Sequence, residues 1–140
     1  SLVFVMPFHP RTSGSLHLKN ESLFKELIRN RYIKIIPPVS FLEMILLEKN
    51  CRMVITDSGG VQKESHFFRK PCIVLRKETE WVELVTNGTA RLADADVLKI
   101  REYFNHFFEL KEELQYPAFY GDGKAAEFIL KEILLLFENR

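Results

Sequence analysis

The sequence has no apolar run approaching the roughly 20 residues that a membrane-spanning helix requires. The apolar opening at residues 2–6 is far too short, and no series of charged, apolar and small residues marks a signal peptide. Cysteine is scarce: Cys51 and Cys72 sit in or beside apolar runs, without the CxxC or Cys/His spacing of a metal site. Both are expected to be buried free thiols in a reducing cytoplasm. An excess of one charge is missing too. With 20 Lys and Arg against 19 Asp and Glu, the formal net charge is +1, so nothing draws the whole chain toward nucleic acid or a membrane surface. Any phosphate must therefore be held by a local site. No metal cluster, dinucleotide fingerprint, internal repeat or low-complexity stretch is present, and no metal or cofactor is expected.

What is present is a soluble, globular balance of 46% hydrophobic and 28% charged residues in a chain of 140. That length suits one compact domain with a real core. Short, largely β-branched runs at 2–6, 33–36, 53–56 and 73–76 predict strands buried in a parallel sheet. Between them lie helical patterns. Residues 20–30 place Leu23, Phe24, Leu27 and Ile28 on one face. Residues 40–50 open on Ser40 with Glu43 at capping-box spacing, and Phe41, Met44, Ile45 and Leu47 form their apolar stripe. Pro37-Pro38 is a turn into that helix. Further helices are expected from Gly59-Gly60 to about 68, from about 94 to 111, and from about 124 to 137. The last is amphipathic at Ile129, Ile133, Leu134 and Phe137 and must bury that stripe somewhere. Such alternation implies βαβ crossovers: an α/β fold with a Rossmann-like parallel sheet and helices on both faces.

Parallel α/β sheets bind ligands at the carboxyl ends of their strands. Asp57-Ser58-Gly59-Gly60 falls there, between a strand and a helix. Paired glycines permit positive φ and leave no Cβ to obstruct a ligand. The helix that follows offers unpaired N–H groups and a positive dipole end, a cradle for a diphosphate. Ser58 adds a hydroxyl, and Glu64, one further turn along, offers a carboxylate to ribose hydroxyls. An isolated Ser-Gly-Gly is as readily a turn with a helix cap; the order Asp-Ser-Gly-Gly-x-Gln-x-Glu weighs against that reading.

Residues 56–64, Thr-Asp-Ser-Gly-Gly-Val-Gln-Lys-Glu, resemble the signature of the non-hydrolysing UDP-N-acetylglucosamine 2-epimerase family. The similarity continues in Lys70-Pro71-Cys72-Ile73-Val74-Leu75-Arg76, in Thr79-Glu80 and in Tyr120-Gly121-Asp122-Gly123-Lys124-Ala125. Upstream it includes Pro7-Phe8-His9-Pro10-Arg11-Thr12 and Pro38-Val39-Ser40-Phe41. The motifs occur in family order over nearly the whole chain. The resemblance implies the C-terminal, UDP-sugar-binding half of a two-domain, GT-B-like, homodimeric cytoplasmic enzyme. Most catalytic carboxylates would lie in an N-terminal half absent from this sequence.

Carried over by position, the resemblance implies that His9 contacts the substrate in the active cleft and is the one catalytic candidate here. Arg11 would add charge near the diphosphate. Ser58, Gly59 and Gly60 would bind phosphate oxygens, Glu64 the ribose, and Arg76 the nucleotide sugar. The Val39 backbone would read the uracil edge and Met44 would pack on its face, where the family often has an aromatic residue. The family reaction is epimerisation at C2 by elimination and re-addition of UDP. Where many members continue Thr-Glu with Arg-Pro-Glu, this chain has Trp81-Val82-Glu83, closer to archaeal-type members and to relatives acting on diacetamido-uronic sugars. Before Tyr120 the usual Asn-Pro is Ala118-Phe119. Two other readings fit the same fold: half of a GT-B glycosyltransferase, and a non-catalytic interaction domain.

Overall fold

The computed structural model describes residues 2–138, apart from the side chains of residues 10, 11, 13, 17 and 138. Strands and helices alternate along it, and the chain divides into two compact units, residues 1–47 and 48–140.

In the first unit, β1 (Phe4–Pro7) pairs in parallel with β2 (Ile33–Ile36), Phe4 opposite Ile33 and Pro7 opposite Ile36. The connection holds two helices, α1 (Pro10–Lys19) and α2 (Glu21–Arg29). Helix α1 lies where periodicity predicts none. Thr12 and Gly14 break any apolar stripe, but Pro10 stands at the first helical position, where its fixed φ suits the helix and its missing N–H costs nothing. Asn20 caps α2, its Oδ1 accepting from the Leu23 N–H at 3.0 Å. At α3 (Phe41–Asn50) the expected capping box forms: the Ser40 N–H donates to Glu43 Oε2 at 2.7 Å, and the Glu43 N–H donates to Ser40 Oγ at 3.4 Å. Those bonds hold the Glu43 carboxyl below its ordinary value.

The second unit is built on β3 (Val54–Thr56), β4 (Cys72–Val74) and β5 (Ala90–Leu92), all parallel and adjacent in that order. Its helices are α4 (Gly59–Phe67), α5 (Val82–Thr86), α6 (Val97–Glu109) and α7 (Ala125–Glu138). Strand β5 and helix α5, three and five residues long, are too short for a periodic signal. Side chains alternate across the sheet as the pleat requires. Val54, Cys72 and Val74 meet Val61 of α4 and Leu84 and Val85 of α5 on one face. Ile73 and Ile55 meet Ile100, Tyr103, Phe104 and Phe107 of α6 on the other. The sheet is thus covered on both faces, as the uninterrupted apolar strands imply.

Asp94, with φ of 54°, turns the chain between β5 and α6, and Asp96 then caps α6 by accepting from the Leu98 and Lys99 N–H groups. The helix therefore begins later than the expected residue 94. On α7, Ile129, Ile133, Leu134 and Phe137 are exposed. Cys51 and Cys72 are free thiols, the second fully buried and pushed up to about 12 by that burial.

Candidate functional site

The densest group of candidate residues lies in the second unit, where β3 runs into α4. Two hydrogen bonds shape the entry. The Ser58 N–H donates to Thr56 Oγ1 at 3.0 Å, and the Gln62 N–H donates to the Ser58 carbonyl at 3.2 Å as the first bond of the helix. Ser58 is the N-cap residue, yet its hydroxyl makes no capping bond. Its Oγ remains available, and the first amides of α4 have no partner within the helix.

Both glycines belong to α4, and neither is among the glycines with positive φ. The freedom of φ anticipated for them is not used; what Gly59 supplies is room. A Cβ there would come within 2.6 Å of Glu80 Oε1 and 3.8 Å of Arg76 Nη1. At Gly60 the nearest group would be Ser58 Oγ at 3.9 Å, an ordinary contact.

Arg76 stands two residues past β4 rather than at the end of a strand, and its Nη1 meets Glu80 Oε2 at 2.8 Å. The Glu80 carboxyl lies below its ordinary value, held first by its own backbone N–H and then by the Arg76 charge. Ser58, Gly59, Gly60 and Arg76 are thereby brought around one helix start, and Glu64 follows a turn later. Glu64 faces the buried Glu48 carboxyl, which burial and the Glu64 charge lift to about 7.

Several residues that hold this geometry are invisible to a search for ligand-binding chemistry. Buried Gln62 accepts from Thr79 Oγ1 at 2.6 Å, and Thr79 Oγ1 accepts in turn from the Trp81 N–H at 3.1 Å. Trp81 Nε1 donates to the Gly59 carbonyl at 2.8 Å, tying the loop after β4 to the first turn of α4. Lys63 Nζ lies 4.8 Å from the Trp81 ring centroid and 4.3 Å from that of Tyr120. His66, also buried, donates from Nε2 to the Pro117 carbonyl at 2.8 Å and stacks on Phe119 at 5.3 Å. The Gln of the signature and the Tyr120 motif therefore brace the loop. Their only sequence signal was membership of a motif.

The first unit presents the remaining candidates at the carboxyl ends of its strands. His9 follows β1, is exposed, and its carbonyl accepts from the Thr12 N–H at 2.8 Å as α1 begins. Val39 stands between β2 and α3, and Met44 lies in the first turns of α3; both are half-buried. The Arg11 side chain lies outside the described ones. Among the described residues no group of His, Cys, Asp and Glu is placed to hold a metal ion, and no helix is long and apolar enough to cross a membrane.

The chain matches the family model described as UDP-N-acetylglucosamine 2-epimerase over residues 1–134. It is 39% identical over 127 residues to the UDP-N-acetylglucosamine 2-epimerase of Methanocaldococcus jannaschii, covering 91% of this chain and 34% of that protein. It is 47% identical over 91 residues to a UDP-2,3-diacetamido-2,3-dideoxy-D-glucuronate 2-epimerase of Pseudomonas aeruginosa, covering 65% of this chain and 23% of that one. The crystal structure of the M. jannaschii UDP-GlcNAc 2-epimerase in complex with UDP-GlcNAc and UDP is similar at a TM-score of 0.81 and 36% identity, over 95% of this chain and 36% of that chain. The fold is thus the parallel-sheet α/β architecture of those enzymes. The chain spans 34% of the length of the M. jannaschii relative, a third rather than the expected half.

Proposed function

The chain belongs to the UDP-N-acetylglucosamine 2-epimerase family, and we propose that it is the UDP-holding part of an enzyme that interconverts UDP-GlcNAc and UDP-ManNAc. The observation that supports this most is the start of α4. There, amides without helical partners, a hydroxyl not spent on capping and the Arg76 guanidinium converge beside a glycine whose missing Cβ leaves room for the Arg76–Glu80 pair.

The chemistry asks for such a cradle. A base removes the C2 proton, the bond from C1 to the UDP oxygen breaks, and UDP leaves with the electron pair. Re-addition of UDP and return of a proton to the opposite face of C2 complete the inversion. Charge grows on the departing diphosphate, and donors already aimed at it lower that barrier. In this reading Ser58, Gly59 and Gly60 hold phosphate oxygens at the helix start. Arg76, paired with Glu80 in the structure described, turns its remaining N–H groups to the diphosphate. Glu64 accepts from the ribose hydroxyls, the Val39 backbone reads the uracil edge, and Met44 packs on its face. His9 acts beside the reacting sugar as an acid or base. Further acid and base groups come from parts of the protein beyond this chain. The whole protein is a cytoplasmic homodimer without a metal or cofactor.

A second reading has a specific support. The 47% identity to the diacetamido-uronate epimerase and the Glu80-Trp81-x-Glu83 sequence favour a UDP-diacetamido-uronic sugar as substrate. One experiment separates the readings. The protein in its full natural length is incubated in deuterium oxide with UDP-GlcNAc or with the diacetamido-uronate, and deuterium at C2 is followed. Exchange into UDP-GlcNAc supports the first reading, exchange into the uronate alone supports the second, and exchange into neither defeats both.

A further inference from the structure

Behind the proposed ribose acid lies a second carboxyl with no role in the reaction. Glu48, near the end of α3, is only 4% exposed, and neither carboxyl oxygen has a partner in hydrogen-bond geometry. A carboxylate left bare in such a place is costly, and it lowers that cost by keeping its proton. The group it faces is Glu64 on α4. The two carboxyls stop short of full hydrogen-bond geometry, yet each stands within range of the other's charge.

Other ionisable neighbours do not change this picture. Cys51 follows α3 and Cys72 lies on β4; burial pushes both thiols up, so both are neutral near pH 7. The Lys70 ammonium acts on the Cys51 side. Two acids in one poorly solvated place hold one proton between them. Glu48 is the more deeply buried of the two and keeps its proton up to about pH 7.

We propose that Glu48 is a positioning residue for Glu64: a neutral carboxyl that directs its proton at the Glu64 carboxylate and fixes the oxygens Glu64 turns to the nucleotide. This rests on the assignment of Glu64 to the ribose. Ionising Glu48 reverses the interaction, because two like charges then repel and Glu64 loses its fixed orientation. Burial and the Glu64 charge put that change at about pH 7. Nucleotide affinity is accordingly highest on the acid side of this value and falls on the alkaline side.

The test uses the protein in its full natural length, UDP as the probe, and calorimetry at about pH 6 and about pH 8.5, either side of the transition. The native protein is expected to bind UDP about tenfold more weakly at the higher pH, a change of about 1.4 kcal/mol. Glu48→Gln, which mimics the protonated acid, is expected to bind nearly equally at both. Carbon-13 spectra of the native carboxyls report the pair without any substitution, with one midpoint expected near 7. UDP binding that is equal at both pH values in the native protein, or no carboxyl titrating above about pH 6, overturns the positioning role and leaves the nucleotide reading intact. No UDP binding at either pH overturns the nucleotide reading, and the positioning role with it.

Discussion

Residues 1–47 and 48–140 follow the same alternation of parallel strand and helix, yet they bury their side chains to very different extents. Every buried residue among the described ones lies at position 48 or beyond. In the second unit Ile73 and Val74 have no exposed surface, whereas in the first Val5 on β1 keeps 45% of its own. Strand number accounts for the contrast. A three-stranded sheet with helices on both faces encloses its middle strand; a two-stranded one has edges only. The two units also differ in the candidate residues they carry. The phosphate cradle, Glu64 and Arg76 stand on the unit with a closed core, while His9, Val39 and Met44 stand on the unit without one.

The largest expected effect tests that contrast directly. Ile73→Ala should destabilise the protein by about 2–5 kcal/mol in denaturant unfolding, because a fully buried side chain leaves a cavity. Val5→Ala should cost under about 1 kcal/mol, since half of the lost surface already meets solvent. Equal losses would break the comparison. Next come the two glycines. Gly59→Ala puts a methyl where Glu80 and Arg76 lie and should weaken UDP binding about tenfold by calorimetry, with folding retained. Gly60→Ala meets only an ordinary contact and should bind within about twofold of the native protein. If both alanines weaken binding alike, the cradle depends on the helix start as a whole and not on the room at Gly59.

A smaller effect sharpens the picture on the open side. Ser40→Ala removes the reciprocal cap of α3 and should lower unfolding stability by about 1 kcal/mol. A loss near zero would mean that packing alone holds the start of that helix. The last concerns the pH dependence of stability set by Glu48. Its pKa is raised in the folded protein, so folding takes up a proton between the ordinary carboxyl value and about 7. The associated stability is complete below the unfolded value and is lost as pH rises through about 7. Thermal unfolding should show a decline in Tm over that window in the native protein and none in Glu48→Gln. A matching decline in the variant would assign it to other groups.

Much of the frame could be read from local pattern. The runs at 33–36 and 53–56 form β2 and β3 with little change, since β-branched apolar runs of that length suit few other places. The Ser40–Glu43 box works through bonds that span only three residues, so its spacing suffices to find it. Elements without a period of their own were missed: α1, led by Pro10, and the short α5 and β5. In the candidate site, the position of Ser58-Gly59-Gly60 after a strand was legible. The reason for Gly59 was not, because the groups that crowd it, Glu80 and Arg76, arrive from a loop some twenty residues away. Glu48 gave no signal either: a charged residue near a helix end ordinarily meets water.

Order along the chain was enough to determine the strand and helix alternation, the parallel sheet and the family, because strand length, cap spacing and motif order are properties of neighbouring residues. Tertiary structure alone decided which acid is buried against Glu64, which glycine is needed for space, and that Gln62, Trp81 and Tyr120 brace the loop. Those outcomes depend on distances between segments far apart in sequence, which packing sets and no local pattern records.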